Sequence, residues 1–293
     1  MPAVNGVRHS FELVNGIRMH VAEAGDPEAE PLVLLHGWPQ HWYVWRKLIG
    51  PLSERYRVIC PDLRGFGWSE APRGSYLKAD LADDVIALLE QLELGRVRLG
   101  GHDWGGMVGF HICLKAPDRV SHYAAAAISH LWVRADEAPL SDRLRLLSRL
   151  WYMFLIASPL AGRQVVQRVP AFMRQILVKG SARPDTSTEA EIETFVGQWS
   201  EPERAQACVA VYRSFLTREF RQIARGAFNE QVISQPTMIL IGELDPVIEA
   251  ENLRGAETNL PNLEIRELAG VGHFVPEEAP EETLAALLEL YDS

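Results

Sequence analysis

Residues 101–106 read GHDWGG, directly after the apolar run at 97–100. The glycines frame a nucleophile elbow, a sharp turn from strand to helix that exposes its central residue. Serine is the usual occupant; here it is Asp103. That exchange changes which electrophile the residue suits. A serine attacking an acyl carbon leaves an ester, which water later cleaves. Attacking a saturated carbon, it would leave an ether that a histidine-activated water does not remove. A carboxylate attacking a saturated carbon leaves an ester instead. Asp103 therefore points to an epoxide or an alkyl halide, and away from ordinary esters and amides.

Two further reactive residues follow strand-like runs: Asp245 after MILIGEL, and His273 in GVGHF after EIREL. In an open α/β sheet, ligands bind at the carboxyl ends of the strands, so the three residues are expected to meet there. The histidine then serves as general base and the acid orients it. Each residue also has an ordinary use. Asp103 suits a helix N-cap, Asp245 before Pro246 suits a turn, and His273 beside Gly272 suits a loop. Their joint placement favours a site.

The elements that must position them follow from periodicity. Strand-like runs occur at 9–14, 17–23, 31–37, 56–62, 96–101, 123–129, 236–243 and 263–270. Asn15–Gly16 between the first two is a hairpin signal. Amphipathic helices are clearest at 77–94 and 281–291. An antiparallel start followed by strand–helix alternation predicts a mostly parallel, eight-stranded sheet with helices on both faces. From 131 to 230 the alternation stops. That stretch reads as helices interrupted at Pro159, Pro170, Pro184 and Pro202. The expected organisation is a core of 1–130 and 231–293 with an inserted all-helical cap at 131–230.

At 293 residues the chain can bury a sizeable core. Its net charge of −10 argues against a nucleic-acid partner, because such binding rests on Lys and Arg neutralising phosphates. The three cysteines, Cys60, Cys113 and Cys208, are too scattered for a disulfide framework or a metal-ligand spacing. The first 20 residues contain no apolar leader core. The apolar stretch from Leu150 is too short to span a bilayer. A cytoplasmic protein with no membrane partner is the simplest expectation, and nothing in the sequence fixes its oligomeric state.

The motifs HGWP (36–39), DLRGFGWS (62–69), GHDWGG, GELDPV (242–247) and GHFVPEEAP (272–280) resemble those of the α/β-hydrolase family, more narrowly its epoxide hydrolase branch. The order nucleophile, acid, histidine matches that family. The resemblance covers nearly the whole chain. It implies a catalytic Asp103–Asp245–His273 set and an oxyanion hole built from the backbone N–H groups of Trp38 and Trp104. It implies a small apolar epoxide and water as substrates, and no metal or organic cofactor. Epoxide hydrolases protonate the leaving oxygen with two lid tyrosines, and the insertion contains two, Tyr152 and Tyr212. A phenol of pKa about 10 stays protonated at neutral pH. Cys208, Val211, Tyr212, Phe215 and Leu216 share one helical face, which turns Tyr212 inward. Tyr152 shares a stripe with Leu155 and Ile156.

The related haloalkane dehalogenases remain an alternative, since Trp104 occupies the place of their halide-binding tryptophan. Many of them, however, carry an asparagine in the loop that here reads HGWP. A receptor or binding module on the same fold is a more remote alternative; the complete nucleophile, acid and base count against it.

Overall fold

The computed structural model describes residues 1–132 and 149–293. Strands β1 (Arg8–Val14) and β2 (Ile17–Ala24) form a hairpin across Asn15–Gly16. Both turn residues have positive φ, 47° and 76°, as a type I′ turn requires. Six further strands follow: β3 (Pro31–Leu35), β4 (Arg57–Pro61), β5 (Val97–His102), β6 (Val120–Ala126), β7 (Thr237–Gly242) and β8 (Leu263–Leu268). They lie in the order β1-β2-β4-β3-β5-β6-β7-β8. The pairings β1–β2 and β2–β4 are antiparallel, and all others are parallel.

This is the expected eight-stranded sheet, with one shift. The run at 123–129 forms its strand earlier, at 120–126, because Ala127 turns to φ 52° and ends the extension.

Helix α1 (Arg46–Ser53) links β3 to β4, and α2 (Lys78–Gln91) links β4 back to β5. These right-handed crossovers run in opposite directions across the sheet, so α1 and α2 cover opposite faces. Helix α3 (Trp104–Lys115) packs beside α2. The reversal leaves a crevice at the carboxyl ends of β3 and β5, where such sheets bind ligands. Apolar side chains of the central strands fill the core, and every residue of β7 is buried.

Between β6 and β7 the described residues hold helices and no strand: α4 (Trp151–Ala157), α5 (Gly162–Arg168), α6 (Pro170–Gly180), α7 (Glu189–Gly197), α8 (Pro202–Ser214) and α9 (Phe220–Ala224). Pro170 and Pro202 open α6 and α8 at first-turn positions, where proline's missing N–H costs nothing. A widened, π-type turn, Phe215–Glu219, separates α8 from α9. The part of the expected insertion at 133–148 lies outside the described residues. After β8, the short α10 (Val275–Glu278) and α11 (Pro280–Tyr291) complete the layer shared with α1. Among the described residues no helix is long and apolar enough to cross a membrane. All three cysteines are buried and unpaired.

Candidate active site

Asp103 occupies the turn between β5 and α3 with φ 50° and ψ −122°, a strained backbone for a residue with a side chain. Surrounding contacts hold it there. Its N–H donates to the Ala126 carbonyl at 2.9 Å. A Cβ on Gly105 would collide with the Leu35 and His36 carbonyl oxygens, and one on Gly37 would collide with the Asp103 side chain. Glycine at both positions lets the loop after β3 close directly onto the elbow.

The two oxygens of the Asp103 carboxylate face different groups. Oδ1 accepts the backbone N–H of Trp38 at 2.8 Å. Oδ2 lies 3.5 Å from His273 Nε2. On the other side of the imidazole, Nδ1 is 2.9 Å from Asp245 Oδ2. Asp245 Oδ1 accepts the N–H groups of Val247 and Ile248 at 2.7 and 3.1 Å, which fixes the carboxylate in the turn after β7. The three side chains, spread over 170 positions from Asp103 to His273, thus meet at the carboxyl ends of β5, β7 and β8.

Burial by itself would raise the Asp103 carboxyl. His273 facing it, with His102 and the Trp104 N–H, outweighs burial and holds it below the usual carboxylate value. Burial likewise opposes charge on His273, yet Asp245 and then Asp103 push its pKa up to about 10. At neutral pH the Asp103 carboxylate therefore faces an imidazolium.

Four aromatic rings roof the carboxylate. Trp38 stacks on Tyr152 at 5.9 Å and 9°, and meets Tyr212 edge-on at 5.1 Å. Trp104 meets Tyr212 at 5.7 Å, and the two tyrosine rings are 6.0 Å apart. Tyr152 comes from α4 and Tyr212 from α8, so both descend from the inserted helices. Burial raises the Tyr152 phenol above its ordinary value, and the charges of Asp103 and Asp245 add to it. Burial, then Tyr152 and Asp103, raise Tyr212 further. Both phenols keep their protons at neutral pH. The Trp38 indole N–H donates to Cys208 Sγ at 3.1 Å, which anchors that ring one helical turn from Tyr212. Among the described residues, the buried Trp104 indole N–H has no hydrogen-bond partner.

All seven residues singled out in the sequence are brought together here. Two supporting residues escaped the motif reading. His102, buried and lowered to about 4 by burial and then by the His273 charge, is neutral and donates Nε2–H to the His273 carbonyl at 2.9 Å. Glu278 accepts the N–H groups of Gly272 and Phe274 on either side of His273, and those of Ala182 and Arg183 from the inserted helical region. Both lie inside quoted motifs, but only the folded loop reveals what they hold.

The α/β-hydrolase fold family pattern matches residues 30–280. A soluble epoxide hydrolase from Corynebacterium sp. (strain C12) is 30% identical, with 97% of each chain covered. Among solved structures, a candidate acyltransferase from Salmonella enterica superposes with a TM-score of 0.90 at 27% identity, covering 100% of this chain and 97% of its own. An epoxide hydrolase from Vigna radiata gives a TM-score of 0.84 at 26% identity, with 99% of each chain covered. Sequence and architecture agree: the chain belongs to the α/β-hydrolase fold family, in the branch that holds the epoxide hydrolases.

Proposed function

We propose that this enzyme hydrolyses a small apolar epoxide to a vicinal diol through an ester on Asp103. The observation that carries the reading is the split carboxylate, with Oδ1 tied to the Trp38 N–H while Oδ2 remains directed toward His273 beneath two protonated phenols. In the first step, Oδ2 attacks an epoxide carbon. As the C–O bond breaks, Tyr152 or Tyr212 gives its proton to the departing oxygen. That oxygen would otherwise leave as a strongly basic alkoxide.

Once the ester has formed, the proton that His273 carries at rest replaces the one the tyrosine gave up; the neutral imidazole then takes a proton from water, and the hydroxide adds to the Asp103 carboxyl carbon. Negative charge gathers on Oδ1, where the Trp38 and Trp104 N–H groups act as the oxyanion hole. Collapse expels the second diol oxygen, which takes its proton from His273, and the Asp103 carboxylic acid left behind gives its proton to the imidazole, restoring the resting carboxylate and imidazolium. Asp245 holds the imidazole in place and balances its charge. The cap is assigned to 131–230 and the core to 1–130 and 231–293, so the insertion supplies both proton donors. The comparison proteins named as epoxide hydrolases add support.

A halide-releasing reaction is the second reading, favoured by the unpartnered Trp104 indole N–H. Two assays on one preparation separate the readings: diol from styrene oxide, and halide from 1-bromobutane. Diol without halide is expected. Halide without diol would assign the enzyme to dehalogenation and reduce the tyrosines to packing. Asp103→Ala should lose turnover while remaining folded. His273→Gln should accumulate an alkyl-enzyme, seen as a mass adduct on the peptide containing Asp103; turnover at the parent rate would overturn the mechanism.

A further inference from the structure

Lys78, the first residue of α2, has a fully buried side chain, a rare state for lysine. Its Nζ lies 2.8 Å from Glu219 Oε2 and donates to the Val211 carbonyl at 3.2 Å. Glu219 Oε1 also accepts the Lys78 backbone N–H at 2.5 Å, so one carboxylate takes both lysine donors. The same ammonium sits 4.1 Å from the centre of the Trp104 ring and 5.2 Å from that of Phe215. A buried ion pair is often no more stabilising than apolar side chains of the same volume. Stability alone is therefore a weak reason for this one, and its contacts suggest another.

Val211 immediately precedes Tyr212, and Glu219 ends the widened turn that follows α8. One lysine from the core thus grips both ends of the segment 211–219. At the end of that segment the helical hydrogen bonding is widened: the Phe220 N–H reaches back five residues to the Phe215 carbonyl. Such single π-type turns inside helices are rare and frequently lie at functional sites. Lys78 holds both ends of the segment from outside the helix. Its charge over the Trp104 face also fixes the ring that meets Tyr212 from the core side.

We propose that Lys78 is a positioning residue for Tyr212, holding its phenol over Asp103 by clamping Val211 and Glu219 and by seating the Trp104 ring. The proposal rests on the proton-donor reading of Tyr212 above. It assigns Lys78 no contact with the substrate. Its effect belongs to ester formation, when the phenol must meet the leaving oxygen, and not to ester hydrolysis.

A double-mutant cycle tests this, read as the single-turnover rate of ester formation with styrene oxide. Lys78→Met should slow that step about thirtyfold in the parent enzyme but less than threefold in a Tyr212→Phe background. Ester hydrolysis should change less than threefold in either. Equal losses in the two backgrounds, or no loss at all, would overturn the role of Lys78 while leaving Tyr212 as donor. A Tyr212→Phe enzyme as fast as its parent would instead overturn the donor assignment, and the role of Lys78 with it. Should Lys78→Met fail to fold, Glu219→Gln keeps the shape of the clamp. It should show the same non-additivity at about a fivefold loss, and an additive result would overturn the proposal equally.

Discussion

His273 has to change character during the proposed cycle. Between Asp245 and Asp103 its pKa is pushed up to about 10, so at neutral pH it carries a proton and is no base. Ester formation removes the charge and the hydrogen bond of Asp103, two of the causes that hold the proton on. The imidazole then becomes basic only when there is an ester to cleave. The same raised pKa makes a claim about stability. An unfolded histidine titrates near 6.5, so the attraction of Asp245 and Asp103 for His273 contributes fully below pH 6.5 and is lost as pH rises through about 10. The thermal midpoint of the parent minus that of Asp103→Asn should therefore shrink between pH 6.5 and 10. A constant difference would show that the pair does not titrate as described. Asp103, Asp245 and His273 were legible in the sequence because each follows a strand and carries its own local motif. Lys78 and Glu219 were not, because two charged residues 141 positions apart leave no local sign that they meet in the interior.

The elbow depends on the element beneath it. Helix α3 starts where Gly105 lets it rest on the end of β3, and the Cβ of an alanine there would strike two backbone carbonyls that cannot swing aside. Gly105→Ala should cost about 3 kcal/mol, at the upper end for overpacking. It should also lower diol formation by moving the loop that carries Trp38; denaturant midpoints and the styrene oxide assay would check both. Strands were legible from their apolar runs to within a few residues, and the β6 shift came from one backbone angle at Ala127. The cap helices were harder to read. The pattern that joins Cys208, Val211 and Tyr212 to Phe215 and Leu216 assumes 3.6 residues per turn, but the π-type turn widens the spacing at Phe215. The first three are buried, while the last two are only partly so. Periodicity detects a helix; it does not detect a single widened turn within one.

On the scale of the molecule, the inserted helices are bound to the sheet domain by buried polar contacts as well as apolar ones. Arg46 of α1 bonds Glu191 at 2.8 Å and the buried Glu277 at 2.5 Å, and the Pro39 carbonyl accepts from both the Gln198 amide and the Trp199 indole. Arg46→Met would strip Glu277 of its nearest cation, leaving Lys47 at 3.6 Å, and should destabilise by about 3 kcal/mol. Arg46→Met with Glu277→Gln should lose less than the single variant in denaturant titration, because the stranded charge is gone. The topology carries a different consequence. Strands β6 and β7 are parallel neighbours, paired from Tyr123 with Thr237 to Ala126 with Leu240, so the chain departs for the cap and returns from it beside the same seam. Everything between can change in length or sequence without altering the order of the sheet. On the mechanism proposed above, nucleophile, acid and base stay with the sheet, while the two proton donors travel with the insert. On that reading, a different insert on the same sheet would present a different substrate to an unchanged hydrolytic base.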